Sequence, residues 1–219
     1  VHDFTRQSLD ELAAQGLLPD MVQVGNEITN GMLFPDGEVP VYDRLAGLLN
    51  AGIRAVRETS PDIAVMLHLE QGGRFYFQKT WFDAMFAAGL EPIDAIGLSY
   101  YSFWHGTFMG LKNSIGQLTA RYRVPVYVVE TAHPWRHCEK EHVSEAQLRP
   151  AGLPAGKEEQ KRSLELVMQI AAQASGDYPT GIFYWEPLCL PGKTYGSWAE
   201  NMSMVDERGR VLCGFDAYR

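Results

Sequence analysis

Short, nearly continuous apolar runs recur at Met21–Gly25, Ile63–Leu69, Ala95–Tyr101, Val126–Val129 and Gly181–Trp185. A proline precedes each within a few positions: Pro19, Pro61, Pro92, Pro125 and Pro179. Proline ends a preceding helix and biases the residue before it toward extended geometry. Because the runs do not alternate, they predict strands buried on both faces of a parallel sheet. Helical patterns lie around and between them over Thr5–Gln15, Val41–Glu58, Phe75–Ala88, Phe108–Tyr122 and Glu158–Ala174. In the last of these, Leu164, Val167, Met168, Ala171 and Ala174 share one face. Glu158, Glu159, Lys161, Arg162 and Glu165 fall mostly opposite, as a solvated face.

Strand and helix alternate without a break in composition, which predicts one α/β domain over residues 1–219 with right-handed crossovers. Thr131–Lys157 is the one long connection, and long loops in compact domains are often functional. A doubly wound nucleotide-binding sheet needs a Gly-rich phosphate turn, and the chain has no GxGxxG or GxxxxGK[ST]. A (β/α)8 barrel instead collects its chemistry at the C-terminal ends of the strands. Here the runs end in Gly25-Asn26-Glu27, His68-Leu69-Glu70, Ser99-Tyr100-Tyr101, Glu130-Thr131 and Tyr184-Trp185-Glu186. The barrel is the better reading.

Composition narrows the function classes. With 46% hydrophobic and 21% charged residues among 219, the chain is expected to fold rather than remain disordered. No apolar run approaches the roughly 18 residues of a membrane span, so no membrane partner is expected. A net charge of −8 repels phosphate backbones, so nucleic acid is not expected as a partner either. Cys138, Cys189 and Cys213 are an odd number and do not form a disulfide framework.

Glu27 and Glu130 close two different runs and would face one barrel mouth from opposite sides. Carboxyls about 5–5.5 Å apart suit a retaining glycosidase, and about 6.5–9.5 Å an inverting one. Asn26 beside the acid is suited to a sugar hydroxyl, and Tyr100 or Tyr101 to a hydrogen bond that keeps Glu130 ionised. Among the tryptophans, Trp104 and Trp185 are expected as sugar platforms, with Trp135 and Trp198 left open between cleft and core. His105 is a candidate sugar contact, whereas His68 and Glu70 suit the cleft and a structural role equally. His133, His137, Cys138 and His142 have zinc-like spacing if helical, but Pro134 argues against a helix there.

These residues resemble the arabinogalactan endo-β-1,4-galactanases, glycoside hydrolase family 53. Val22-Gln23-Val24-Gly25-Asn26-Glu27-Ile28 with Asn30-Gly31-Met32-Leu33 resembles the acid/base strand. Ser99 to Gly106 resembles the sixth-strand motif, Glu130-Thr131-Ala132-His133-Pro134-Trp135 the nucleophile segment, and Tyr184-Trp185-Glu186-Pro187 the eighth-strand end. The resemblance implies Glu27 as general acid/base, Glu130 as nucleophile, retention, β-1,4-galactan as substrate and an extracellular location. Phe34, Ser102 and His133 depart from the usual Trp, Pro and Tyr, which bears on subsites more than on the chemistry. Bacterial members often hold calcium near the last loops. No run of Asp and Asn ligands stands there, so no metal or cofactor is expected.

On this alignment Met21–Gly25 is the fourth strand, and strands one to three, with the Arg and His they supply beside the nucleophile, are absent. The expectation is therefore a fragment or separately encoded C-terminal part covering strands four to eight. It should be weakly active or inactive alone and associate with the missing N-terminal half or with itself. The alternatives are another retaining barrel glycanase, such as a mannanase or glucanase, and a non-catalytic galactan-binding fragment.

Overall fold

The computed structural model describes residues 1–137, 143–190 and 201–219. In chain order the strands are β1 (Met21–Gln23), β2 (Gly31–Met32), β3 (Gly37–Glu38), β4 (Ala64–Leu69), β5 (Ala95–Ser99), β6 (Val126–Thr131) and β7 (Ile182–Tyr184). The helices are α1 (His2–Ala13), α2 (Tyr42–Thr59), α3 (Phe75–Ala87), α4 (Phe108–Tyr122), α5 (Glu145–Leu148) and α6 (Lys157–Ala174). Five strands form one parallel sheet in the order β1-β4-β5-β6-β7. Apart from the β2–β3 hairpin, each strand of the chain pairs with the next. The order never reverses, so the sheet has no switch point of the doubly wound kind and is an arc of a (β/α)8 barrel.

The helices follow the same progression, with α1 against α2, α2 against α3, α3 against α4 and α4 against α6. The main core lies between them and the sheet. Val65, Leu67 and Leu69 of β4, Ile96 and Leu98 of β5, and Val126 and Val128 of β6 pack there with Leu45, Leu49, Ile53, Phe82, Met85, Leu111 and Ile115. Alternate residues point the other way, since successive strand side chains face opposite sides. Met21, Gln23, Met66, Tyr127, Val129 and Phe183 line that inner, concave face.

The expectation of strands buried on both faces holds for the central strands and fails at the edges. Phe183 on β7 is 61% exposed. Five strands span only part of a cylinder, and on the inner face Met66 in the middle is buried while Phe183 at the edge is open. The sequence pattern also missed the antiparallel hairpin of β2 and β3. In the long connection it missed α5, whose Ser144 and Gln147 form a reciprocal capping box.

Strand ends differ informatively. The Ala95–Tyr101 run leaves the sheet after Ser99, and the Val126–Val129 run continues to Thr131. The pairing slips between these two strands: Leu98 faces Val128, but Ser99 faces Glu130. This bulge skips Val129 and turns Glu130 from the helix-facing side of Val126 and Val128 toward the mouth. Bulges beside active sites commonly re-aim one side chain in this way.

Candidate active site

At the C-terminal ends of the strands, Asn26, Glu27, Glu70, Tyr101, Trp104, His105, Glu130 and Trp185 line a cleft of about 310 Å³. Glu27 comes just after β1 in the left-handed region, at φ 47° and ψ 50°. A non-glycine residue held there is strained by about 1–3 kcal/mol, and such strain clusters at functional sites. Glu130 is buried. Its Oε2 accepts from the Tyr101 hydroxyl at 3.0 Å. One polar atom each of Glu27, His68 and Glu130 lies within 4.8 Å of the others, so the two carboxyls are close neighbours.

Burial, and then the negative charge of Glu27, push the Glu130 carboxyl above its ordinary value, against the Tyr101 hydroxyl. Glu70 is likewise raised by burial, although Thr29 Oγ1 donates to it at 2.5 Å. Burial holds His68 and His105 down at about 4, so both are neutral near pH 7. Three carboxyls thus share one cleft, and among the described residues its lining includes no Lys or Arg.

Of the sequence candidates, Glu27, Glu130, Asn26, Tyr101, Trp104, His105 and Trp185 come together. Tyr100 does not. It is fully buried on the other side of the chain, and its hydroxyl donates to the Gly106 carbonyl at 3.1 Å. Adjacent residues at the end of a strand point to opposite faces, so only one of the two tyrosines reaches the cleft. His105 lines the cleft while its Nδ1 pairs with the Ser99 carbonyl at 3.0 Å. Trp135 is buried beneath the guanidinium of Arg136 and the ammonium of Lys157, in a packing role.

Sequence reasoning missed Thr29 and Ser99. Thr29 meets Glu70 across 41 positions, a separation no local pattern signals. Trp198 lies outside the described residues, as do Cys138 and His142 of the zinc-like spacing. His133 is buried with Nε2 on the Pro154 carbonyl at 3.0 Å, and His137 approaches Glu145 at 3.6 Å. Cys213 is a free thiol whose Sγ donates to the Lys157 carbonyl at 3.2 Å. The trio Glu27, His68 and Glu130 has the spacing to grip a cation. Both ring nitrogens of His68 are engaged with Asn26 and Ser99, however, leaving none free to ligate. Among the described residues no helix is long and apolar enough to cross a membrane.

The profile of glycosyl hydrolase family 53 matches residues 1–218. The chain belongs to that family. It is 37% identical over 237 aligned positions to an uncharacterised protein of Niallia circulans, covering 100% of this chain and 64% of that one. It is 34% identical to a probable arabinogalactan endo-β-1,4-galactanase A of Aspergillus terreus, covering 94% of this chain and 60% of the relative. The solved family 53 catalytic domain of Ignisphaera aggregans superposes with a TM-score of 0.91 at 30% identity, over 100% of this chain and 63% of that one. A Cellvibrio japonicus xylanase shares the fold at a TM-score of 0.64 and 14% identity. This family 53 chain therefore spans about 60–64% of the curated relatives named here.

Proposed function

We propose that residues 1–219 form one partial-barrel catalytic domain that hydrolyses internal β-1,4-galactosidic bonds of galactan or arabinogalactan outside the cell, with retention. The observation that carries this reading is the pairing of Glu27 and Glu130, polar atoms within 4.8 Å, in a cleft flanked by Trp104 and Trp185. That proximity favours the retaining geometry over the wider inverting one. The galactan assignment rests on the names of the family relatives.

In the first step a Glu130 carboxylate oxygen attacks the anomeric carbon. The bond to the leaving sugar breaks, and Glu27 gives its proton to the departing oxygen. In the second step Glu27 takes a proton from water. The water oxygen attacks the same carbon, and Glu130 leaves as carboxylate. Tyr101 supports the ionised state of Glu130 at both ends of the cycle. The steps consume water and require no cofactor.

We further propose that full turnover needs strands beyond these five, because five parallel strands span only part of a cylinder and leave Phe183 at the edge exposed. Incubation with galactan, mannan and glucan, with and without the complementary N-terminal barrel segment of a family 53 relative, tests both proposals. Product release from galactan alone, first as the β-anomer and stimulated by the added segment, is the expected result. Glu130→Ala should leave no more than a few per cent of it. Hydrolysis of mannan or glucan instead would reassign the substrate. Galactan binding without product in every arm would make the domain a binding module. Strong galactanase activity from a monodisperse 24.6 kDa monomer would overturn the need for further strands.

A further inference from the structure

A hydrogen-bonded chain runs from the exposed side chains of Gln23 and Asn26 to buried His68 and Ser99, and its polarity can be read from the end that meets a backbone carbonyl. Gln23 Nε2 lies 2.9 Å from the Gly25 carbonyl, which can only accept, so this atom is the amide NH2. The same NH2 reaches Asn26 at 3.2 Å, so the Asn26 atom facing it is the oxygen. That oxygen pairs with His68 Nδ1 at 3.0 Å, which places the ring proton on Nδ1. His68 is fully buried and, as a neutral ring, carries one N–H. Its Nε2 is therefore an acceptor and takes the Ser99 hydroxyl at 2.8 Å. Ser99 has one hydrogen to give and two acceptors in reach, His68 and Glu130, and this chain assigns it to His68.

With its oxygen held on the protein side, Asn26 has its NH2 left for the cleft it lines. No protein acceptor takes that group among the described residues. We infer that His68 is a positioning residue: by holding the Nδ1–H tautomer it fixes the Asn26 amide so that the cleft offers a donor, not an acceptor, to a sugar hydroxyl beside Glu27. Reversing the ring would turn the Asn26 oxygen outward, adding an acceptor to a cleft already lined by the carboxyls of Glu27, Glu70 and Glu130. The sugar part of this inference rests on the proposed galactanase reading, whereas the tautomer does not.

Ring-nitrogen NMR of the 15N-labelled chain tests the tautomer without turnover. The expected spectrum has His68 protonated on Nδ1 and bare on Nε2 throughout about pH 5–8. An Nε2–H ring or an imidazolium in that range would overturn the inference, and Asn26→Ala should release the preference toward Nε2–H. Two variants then separate positioning from packing. His68→Asn keeps a donor near the place of Nδ1, and His68→Gln keeps a polar group near the place of Nε2. In the complemented barrel the first should raise KM for galactan about threefold or less and the second about tenfold or more, a difference of one hydrogen bond. Equal effects of the two would overturn the positioning role. The expected tautomer together with no turnover by any form would count against the galactanase reading and leave the tautomer assignment standing.

Discussion

The Tyr101 hydroxyl bridges 3.0 Å to Glu130 Oε2, joining a residue just beyond β5 to the penultimate residue of β6. Burial and Glu27 push Glu130 toward its protonated form, and this bond opposes them. Tyr101→Phe should therefore raise the Glu130 midpoint further, read by 13C titration of its carboxyl. In the proposed role of nucleophile Glu130 must be ionised, so the acid limb of the kcat/KM profile should move to higher pH and kcat/KM at mildly acid pH should fall about tenfold. An unmoved carboxyl titration would show that the tyrosine does not govern this group.

Acid should loosen the fold before it protonates most surface carboxylates. His68 and His105 stay neutral down to about 4, whereas in the unfolded chain they take up protons near 6.5. Their folded values are depressed, so stability is fullest above pH 6.5 and is lost as pH falls toward 4, by roughly 3 kcal/mol at most for each ring. The raised Glu130 and Glu70 work in the opposite sense and offset part of this. Urea unfolding at pH 7 and pH 4.5 should give a clearly lower midpoint at the acid value. Gln substitution at His68 and His105 together should flatten the difference.

Gln160 on α6 is fully buried, and its Nε2 lies 3.0–3.1 Å from the His133, Met202 and Ser203 carbonyls and the Tyr184 hydroxyl. One side chain thus joins the segment after β6 to the last part of the chain. Gln160→Leu leaves buried acceptors unpaired and should cost roughly 2–4 kcal/mol in chemical denaturation. A loss below about 0.5 kcal/mol would mean that water replaces the amide there.

The open inner face carries Phe183 at 61% exposure beside Met21, Met66 and Val129. An apolar surface of this kind favours association. In analytical ultracentrifugation the chain alone should sediment heavier than 24.6 kDa, and Phe183→Ser should shift the distribution toward monomer. A wild-type chain that remains strictly monomeric at high concentration would refute self-association through this face.

Much of the architecture was legible in order and spacing. Prolines before apolar runs marked all five sheet strands, and helical patterns around and between them marked the five long helices, because both signals are local. The carboxylates at strand ends were legible too, since a parallel barrel directs every strand's C-terminal end to one mouth. Thr29 with Glu70, and His68 with Asn26 and Ser99, were not. Their partners lie 31 to 42 positions apart and meet only when neighbouring strands align.

The sequence by itself determined the alternation of strands and helices, the identity of the two glutamates and their place at strand ends. Tertiary structure decided which way they face. Strict alternation along β6 would send Glu130 to the helix side with Val126 and Val128. The slip that sets Glu130 opposite Ser99 turns it to the cleft. The same geometry chose Tyr101 over Tyr100, because strand neighbours point apart and only one could reach the carboxylate. Register is a property of two strands together, and neither strand's sequence carries it alone.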